Sequence, residues 1–225
     1  MTGESQQTHA FADPASHESR SNALFAAVIL AAGESSRMGT PKALLDAGAG
    51  ECFLDQLAGT FLRAGCAVYV VLGAQAAAVE AGIGRGGEVQ FVMNPDPSRG
   101  QLSSLQCGLR AVTPSARAIY FSPVDAPGIA GETLQVLKDM LAGMDFAIPI
   151  YEGKRGHPVL MKASAAAQFL EASLDASARD ILHARRAVTR YVDVADAAIL
   201  DDIDDPQQYE RWRSAAAGSS GMGSR

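Results

Sequence analysis

The feature that most constrains this chain is an alternation of short apolar runs with segments of helical spacing. Phe25–Ala32 is an apolar, β-branched run that ends in Gly33, and Ala67–Leu72 is another that ends in Gly73. Between them Phe53, Leu54, Leu57, Ala58, Phe61 and Leu62 recur at helical spacing, and Gly65 closes that helix. The pattern continues. Val89–Met93, Ala118–Ser122, Phe146–Ile150, His157–Met161 and Tyr191–Val194 read as extended. Helices are expected near Ser103–Ala111, Thr133–Leu141 and Pro206–Trp212, with an Ala-rich helix after Gly73 and two more after Met161. Strands this apolar on both faces belong in a buried, mostly parallel sheet with helices on each side. The expectation is a Rossmann-like, doubly wound α/β domain whose ligand sits where loops leave the carboxyl ends of strands.

At 225 residues the chain suffices for one such domain. Residues 1–22 and 214–225 are polar or Ala/Gly/Ser-rich and read as loose tails around a domain at 23–213. A formal charge of -6 argues against a nucleic acid or an anionic membrane as partner. Seven carboxylates fall between Asp193 and Glu210 without a Lys or Arg among them. The run Ala23–Ala32 is about half of the ~20 residues a bilayer span needs. Cys52, Cys66 and Cys107 are odd in number and widely spaced, which disfavours a disulfide framework or a structural zinc site. A cytoplasmic setting fits best.

The strongest chemical signal is Leu30-Ala31-Ala32-Gly33-Glu34-Ser35-Ser36-Arg37-Met38-Gly39-Thr40-Pro41-Lys42. Glycines let backbone N–H groups approach phosphate oxygens, and Arg37 and Lys42 add charge-assisted donors. The spacing excludes G-x-x-x-x-G-K-[ST] and G-x-G-x-x-G. An ordinary turn with exposed basic residues is the competing reading. Further along, Asn94-Pro95-Asp96 precedes Gly100-Gln101-Leu102-Ser103-Ser104, where Ser103 or Ser104 can cap a helix. Asp125, in Ser122-Pro123-Val124-Asp125-Ala126-Pro127, is either a strand-end turn residue or a Mg²⁺ ligand. In Gly153-Lys154-Arg155-Gly156-His157-Pro158-Val159-Leu160, two adjacent cations and glycines suit an anion.

The string L-A-A-G-x-x-x-R-M-G-x-x-K resembles the MobA-like nucleotidyltransferases, and its Ala-Ala-Gly form resembles their molybdenum cofactor cytidylyltransferase branch. The resemblance spans about residues 24–212 and implies the GT-A-like, three-layer α/β/α fold of nucleotide-diphospho-sugar transferases. It implies that Leu30, Ala31, Ala32, Gly33, Ser35, Ser36 and Gly39 wrap the triphosphate of CTP. It also implies that Asn94, Gly100, Ser103 and Ser104 contact the nucleotide, and that Arg37, Lys42 and Asp125 carry catalysis. The G-x-x-G-H-P-V-L element implies that Lys154, Arg155, Gly156, His157 and Pro158 hold a molybdopterin acceptor, His157 by binding or positioning rather than acid–base work. Asp175 and Arg179 match the acceptor-side G-D-x-G-A-R-x-L-L element, whose two glycines are here Leu174 and Ser177. The family's D-M-P is here Asp125-Ala126-Pro127. Asp204, in Asp202-Ile203-Asp204-Asp205-Pro206, is either a second Mg²⁺ ligand or a helix cap.

The implied activity is transfer of CMP from CTP to the phosphate of molybdopterin, or of the molybdenum cofactor, with release of pyrophosphate and with docking to a molybdoenzyme or its chaperone. Two rivals stand beside it. One is nucleotidyl transfer to another phosphorylated acceptor, from GTP or to a sugar phosphate. The other is a MobA-like reductase or accessory binding protein, a reading that the departures at Ala126, Leu174 and Ser177 keep open.

Overall fold

The computed structural model describes residues 23–35, 37–173 and 175–220. Its frame is an eight-stranded sheet. In chain order the strands are β1 (Phe25–Ala31), β4 (Cys66–Leu72), β5 (Gln90–Met93), β6 (Ala118–Pro123), β7 (Phe146–Tyr151), β8 (Lys154–Arg155), β9 (Val159–Lys162) and β10 (Thr189–Asp193). The spatial order is β10-β7-β9-β6-β1-β4-β5, with β8 paired to β7. All neighbours run parallel except that β9 is antiparallel to β6 and β7, and β8 to β7. A two-stranded hairpin, β2 (Asp46–Gly48) and β3 (Glu51–Cys52), stands apart from it. The hairpin has no alternating apolar residues, so periodicity does not announce it.

The sheet separates two apolar cores. Along β1, Ala27 and Ile29 face one and Ala26, Val28 and Leu30 the other, the period-2 alternation of a strand buried on both sides. Helices α1 (Phe53–Arg63), α2 (Ala76–Gly82) and α4 (Gly131–Met140) cover the first face. The second is covered by α3 (Gln101–Ala111), α5 (Ala167–Leu170) and α6 (Ala178–Ala184). This is the three-layer α/β/α architecture anticipated from the alternation. Helix α3 lies close because Gly108 leaves room: a Cβ there would stand 2.4 Å from Val28 Cγ1 and 2.9 Å from Val71 Cγ2.

The last helix, α7 (Pro206–Ser220), corrects the expected boundary of the C-terminal tail. It continues past Ser214 through Ala215-Ala216-Ala217, residues of the highest helix propensity. Residues 221–225, and the N-terminal tail at 1–22, lie outside the described residues. Among the described residues, no helix is long and apolar enough to cross a membrane.

Chain direction fixes where a ligand can enter. From β1 the chain builds outwards through β4 and β5, then returns to place β6 on the other side of β1. The loops after β1 and β6 therefore part company at this reversal and leave a crevice beyond the carboxyl ends of the strands.

Candidate active site

A cavity of about 290 Å³ occupies that crevice. Its walls come from the loop after β1 (Leu30 to Gly33, Ser35, Arg37, Pro41 to Ala43), from Pro97, Gly100, Gln101 and Ser104 around the start of α3, and from Pro123 to Asp125. Asp204 closes it from the C-terminal segment. The first loop is shaped by its own hydrogen bonds. Ser35 adopts φ +51° and receives the Lys42 N–H on its Oγ at 3.0 Å, while its carbonyl accepts from the Met38 N–H at 2.9 Å. Gly39, at φ +68°, completes the turn. A Cβ on Gly33 would meet nothing within 4 Å, so its backbone is open to a ligand. Gly73 has no such room, since a Cβ there would stand 2.6 Å from the Ala32 carbonyl oxygen. Ser36 lies outside the described residues.

Two serines expected to cap α3 do something else. The N-cap is Gly100, at φ +89° and ψ 178°, a conformation reserved for glycine. Ser103 and Ser104 stand inside the first turn, and the Ser103 hydroxyl donates to the Gly100 carbonyl at 2.8 Å. Both hydroxyls accept from Asn94 Nδ2 at 2.9 Å, and Asn94 Oδ1 accepts from the Asp96 N–H. Asn94 and Ser103 are buried behind the cavity wall, whereas Ser104 lines it. Together they aim the amino end of α3, with its unpaired N–H groups, at the cavity.

At the centre Lys42 Nζ donates to Asp125 Oδ2 at 3.4 Å and to Asp204 Oδ1. The Lys42 and Asp125 side chains are only 15% and 17% exposed, so this pair is largely withdrawn from water. Burial pushes the Asp125 carboxyl up to about 6, opposed by Lys42 and aided by the negative charge of Asp202. Asp204 moves the other way, held below the usual carboxylate range by its hydrogen bond from Lys42. The helix-cap reading of Asp204 is corrected: Asp205 caps α7, its Oδ1 accepting from the Gln208 N–H at 2.8 Å.

Asp125, Asp202 and Asp204 bring one carboxylate oxygen each to within 4.8 Å of one another. An all-oxygen set of this kind suits a hard divalent cation. Asp202 thus joins Asp125 and Asp204, the two carboxylates to which the sequence motifs point. The signal was there: in an extended Asp202-Ile203-Asp204, alternation puts both carboxylates on one side while Ile203 is buried on the other. Gln101 and Pro97 are further lining residues without a prior role.

Residues 27–190 match the MobA-like NTP transferase domain. The chain belongs to this family. The MobA-like domain is of nucleotidyltransferase type, and its match covers the first loop, the Asn94–Ser104 region, Asp125 and the Gly153–Leu160 element. Nicotine blue oxidoreductase of Paenarthrobacter nicotinovorans is 32% identical over 194 residues, covering 82% of this chain and 94% of its own. The crystal structure of a Mycobacterium tuberculosis Rv0371c homologue from Mycobacterium sp. strain JC1 superposes with a TM-score of 0.78 at 28% identity, covering 89% of this chain and 99% of its own. Rv0371c of M. tuberculosis in complex with manganese gives 0.72 at 25% identity, covering 85% and 99%.

The residues expected to hold an acceptor in this MobA-like domain do not line the cavity. Lys154 and Arg155 are exposed on β8, with the Arg155 guanidinium 4.4 Å from the centre of the Tyr191 ring. Gly156 has a packing role, since a Cβ there would stand 2.2 Å from the Ile199 carbonyl oxygen. The His157 N–H donates to that same carbonyl at 2.9 Å, and Pro158 is buried. His157 Nδ1 is buried without a hydrogen-bond partner among the described residues, and burial lowers the imidazole to about 4. Asp175 and Arg179 are exposed, Asp175 accepting from the Ser173 hydroxyl at 3.2 Å. Leu174, where the acceptor-side motif would carry its first glycine, lies outside the described residues.

Proposed function

We propose that this protein is a Mg²⁺-dependent nucleotidyltransferase that moves CMP from CTP to the terminal phosphate of molybdopterin, or of the molybdenum cofactor, releasing pyrophosphate. The observation that carries the reading is the convergence of Lys42, Asp125 and Asp204 beneath an open glycine loop and a helix amino end. An oxygen of the acceptor phosphate attacks the α-phosphorus of CTP. The new P–O bond forms as the bond from the α-phosphorus to the oxygen bridging to the β-phosphate breaks, and that electron pair leaves with pyrophosphate. The acceptor phosphate is already an anion at neutral pH, so no strong general base is needed.

The chain's own work is positioning and charge neutralisation. Backbone N–H groups around Gly33 and at the amino end of α3 hold phosphate oxygens. Arg37 and Lys42 place positive charge against the triphosphate. Asp125, Asp202 and Asp204 would hold Mg²⁺, which supplies further charge neutralisation when bound; the manganese in the M. tuberculosis relative supports a divalent cation at such a site. The choice of CTP rests on the Ala31-Ala32-Gly33 form, and the choice of acceptor on the Gly153–Leu160 element.

One comparison favours a second reading. The relative at 32% identity is named an oxidoreductase, which favours redox rather than transfer chemistry for a chain this similar to it. A pyrophosphate-release assay across CTP, GTP, ATP and UTP, with and without molybdopterin, separates the readings when run beside an assay for oxidation of reduced nicotinamide cofactor. Release with CTP that depends on molybdopterin is expected. Release with another NTP or another phosphorylated acceptor would move the specificity within transferase chemistry. Cofactor oxidation without release from any NTP would favour the oxidoreductase.

A further inference from the structure

The match to the MobA-like domain ends at residue 190, yet Asp204 lines the cavity and Asp202 brings a carboxylate oxygen to within 4.8 Å of Asp125 and Asp204. Residues 201–204 belong to no helix or strand, so no backbone ladder holds them. We infer that Trp212, with Tyr209 beside it, is the positioning device that sets this acidic segment against the nucleotide loop. The inference rests on the reading of Asp125, Asp202 and Asp204 as a cation site.

The contacts run from α7 to both partners. Trp212 Nε1 donates to Asp201 Oδ2 at 3.1 Å, which fixes the start of the acidic segment. The Trp212 ring meets Phe53 edge-on at 4.8 Å between centroids, and Tyr209 meets the same ring at 5.8 Å. Phe53 and Leu45 are buried together with Ile203, and Met38 packs against the same small cluster. Met38 belongs to the nucleotide loop, and Leu45 ends the short turn that begins at Lys42. The Tyr209 hydroxyl donates to the Asp46 carbonyl at 3.0 Å, and Arg213 pairs with Asp46 at 3.5 Å. Gln208 completes the attachment, its Oε1 accepting from the N–H groups of both Asp204 and Asp205.

One cluster therefore grips the loop at Met38 and Leu45 and the acidic segment at Ile203. Ile203 anchors the segment, and its two neighbours are thereby held beside Asp125. A purely structural α7 would stabilise the fold without setting the carboxylate geometry. The two roles separate when ligand affinity is measured on folded protein.

The test uses the full chain, with Mn²⁺ as the probe, by titration calorimetry with and without CTP, well below each variant's melting midpoint. Trp212→Ala is expected to weaken Mn²⁺ binding by roughly 10–100-fold, the loss usual for groups that orient metal ligands. Trp212→Phe keeps a ring against Phe53 but loses the N–H to Asp201, and an intermediate loss is expected. Wild-type Mn²⁺ affinity in Trp212→Ala, whatever its melting midpoint, would overturn the inference. Should Trp212→Ala not fold, Trp212→Phe decides: weaker Mn²⁺ binding supports the inference and wild-type affinity overturns it. If Mn²⁺ affinity falls as expected but no nucleotidyl transfer is found, the transferase reading fails and the positioning role stands. A wild-type chain that binds no Mn²⁺, with or without CTP, would overturn both.

Discussion

Lys42 and Asp204 are 162 residues apart in the chain and form an ion pair inside the cavity. The pair joins the loop after the first strand to a segment beyond the last one, so the site exists only when both ends of the domain are in place. Lys42 also reaches Asp125, and its single ammonium balances two carboxylates that would otherwise repel. Lys42→Ala therefore removes a cavity-lining charge and leaves both carboxylates uncompensated. Turnover should fall by about 10²–10³, the usual cost of deleting one preorganised charged donor. Steady-state pyrophosphate release checks this, and an unchanged kcat would contradict the role given to Lys42.

Asn94 is the hub behind the α3 end of the cavity. Asn94→Ala strips two buried serine hydroxyls and the Asp96 N–H of a partner. The expected loss of stability is about 1–3 kcal/mol, read from denaturant midpoints. Weaker CTP binding should accompany it, because the amino end of α3 is no longer held in register. A variant with unchanged stability and affinity would show that the hub positions nothing.

Two of the closely packed glycines, Gly108 and Gly73, predict a graded pair. Gly108→Ala drives a Cβ against the side chains of Val28 and Val71, which can shift, at about 1–3 kcal/mol. Gly73→Ala meets the Ala32 carbonyl, a backbone atom in the cavity-lining loop after β1. It is expected to lower CTP affinity more, relative to its effect on the melting midpoint, than Gly108→Ala does. Equal ratios in the two variants would contradict this.

His157 gives a pH signature. Burial keeps the imidazole neutral when folded, with its pKa at about 4 against 6.5 in the unfolded chain. Between these values the unfolded state binds more protons, so stability falls as pH drops. The contribution is complete above pH 6.5 and is lost progressively towards about pH 4, amounting to at most about 3 kcal/mol. Urea midpoints across this range should fall less steeply for His157→Gln than for the wild type. Parallel curves would show that His157 is not the titrating group.

Much of the fold was legible because fully buried strands are apolar on both faces and end in recognisable turns. Phe25–Ala31 and Cys66–Leu72 are of this kind, as is the helix carrying Phe53, Leu57 and Phe61. The Asp46–Cys52 hairpin was not legible, since its strands are short and largely polar. Spacing alone also could not show where α3 begins: two serines suggested a cap, but Gly100 supplies a backbone conformation that makes a side-chain cap unnecessary. In the site, Lys42 stands on a strong local motif, whereas Asp125 ends a strand where a turn residue and a metal ligand look alike in sequence. Asp202 was hidden in an acidic run, because only the burial of Ile203 distinguishes a segment turned towards the cavity from one in solvent. The Gly153–Leu160 element carries an acceptor motif in sequence, while in space Gly156 and the His157 backbone are packed against Ile199.

Transfer of the α-phosphate of CTP is the step on which the proposed function depends. Wild-type protein incubated with Mg²⁺, molybdopterin and CTP labelled with ³²P at the α position tests it most directly, with the acceptor then separated from nucleotide. Label is expected in the acceptor, in step with pyrophosphate released, and formed about 10²–10³-fold more slowly by Lys42→Ala. Label that stays in CTP, or emerges only as free CMP, would contradict it.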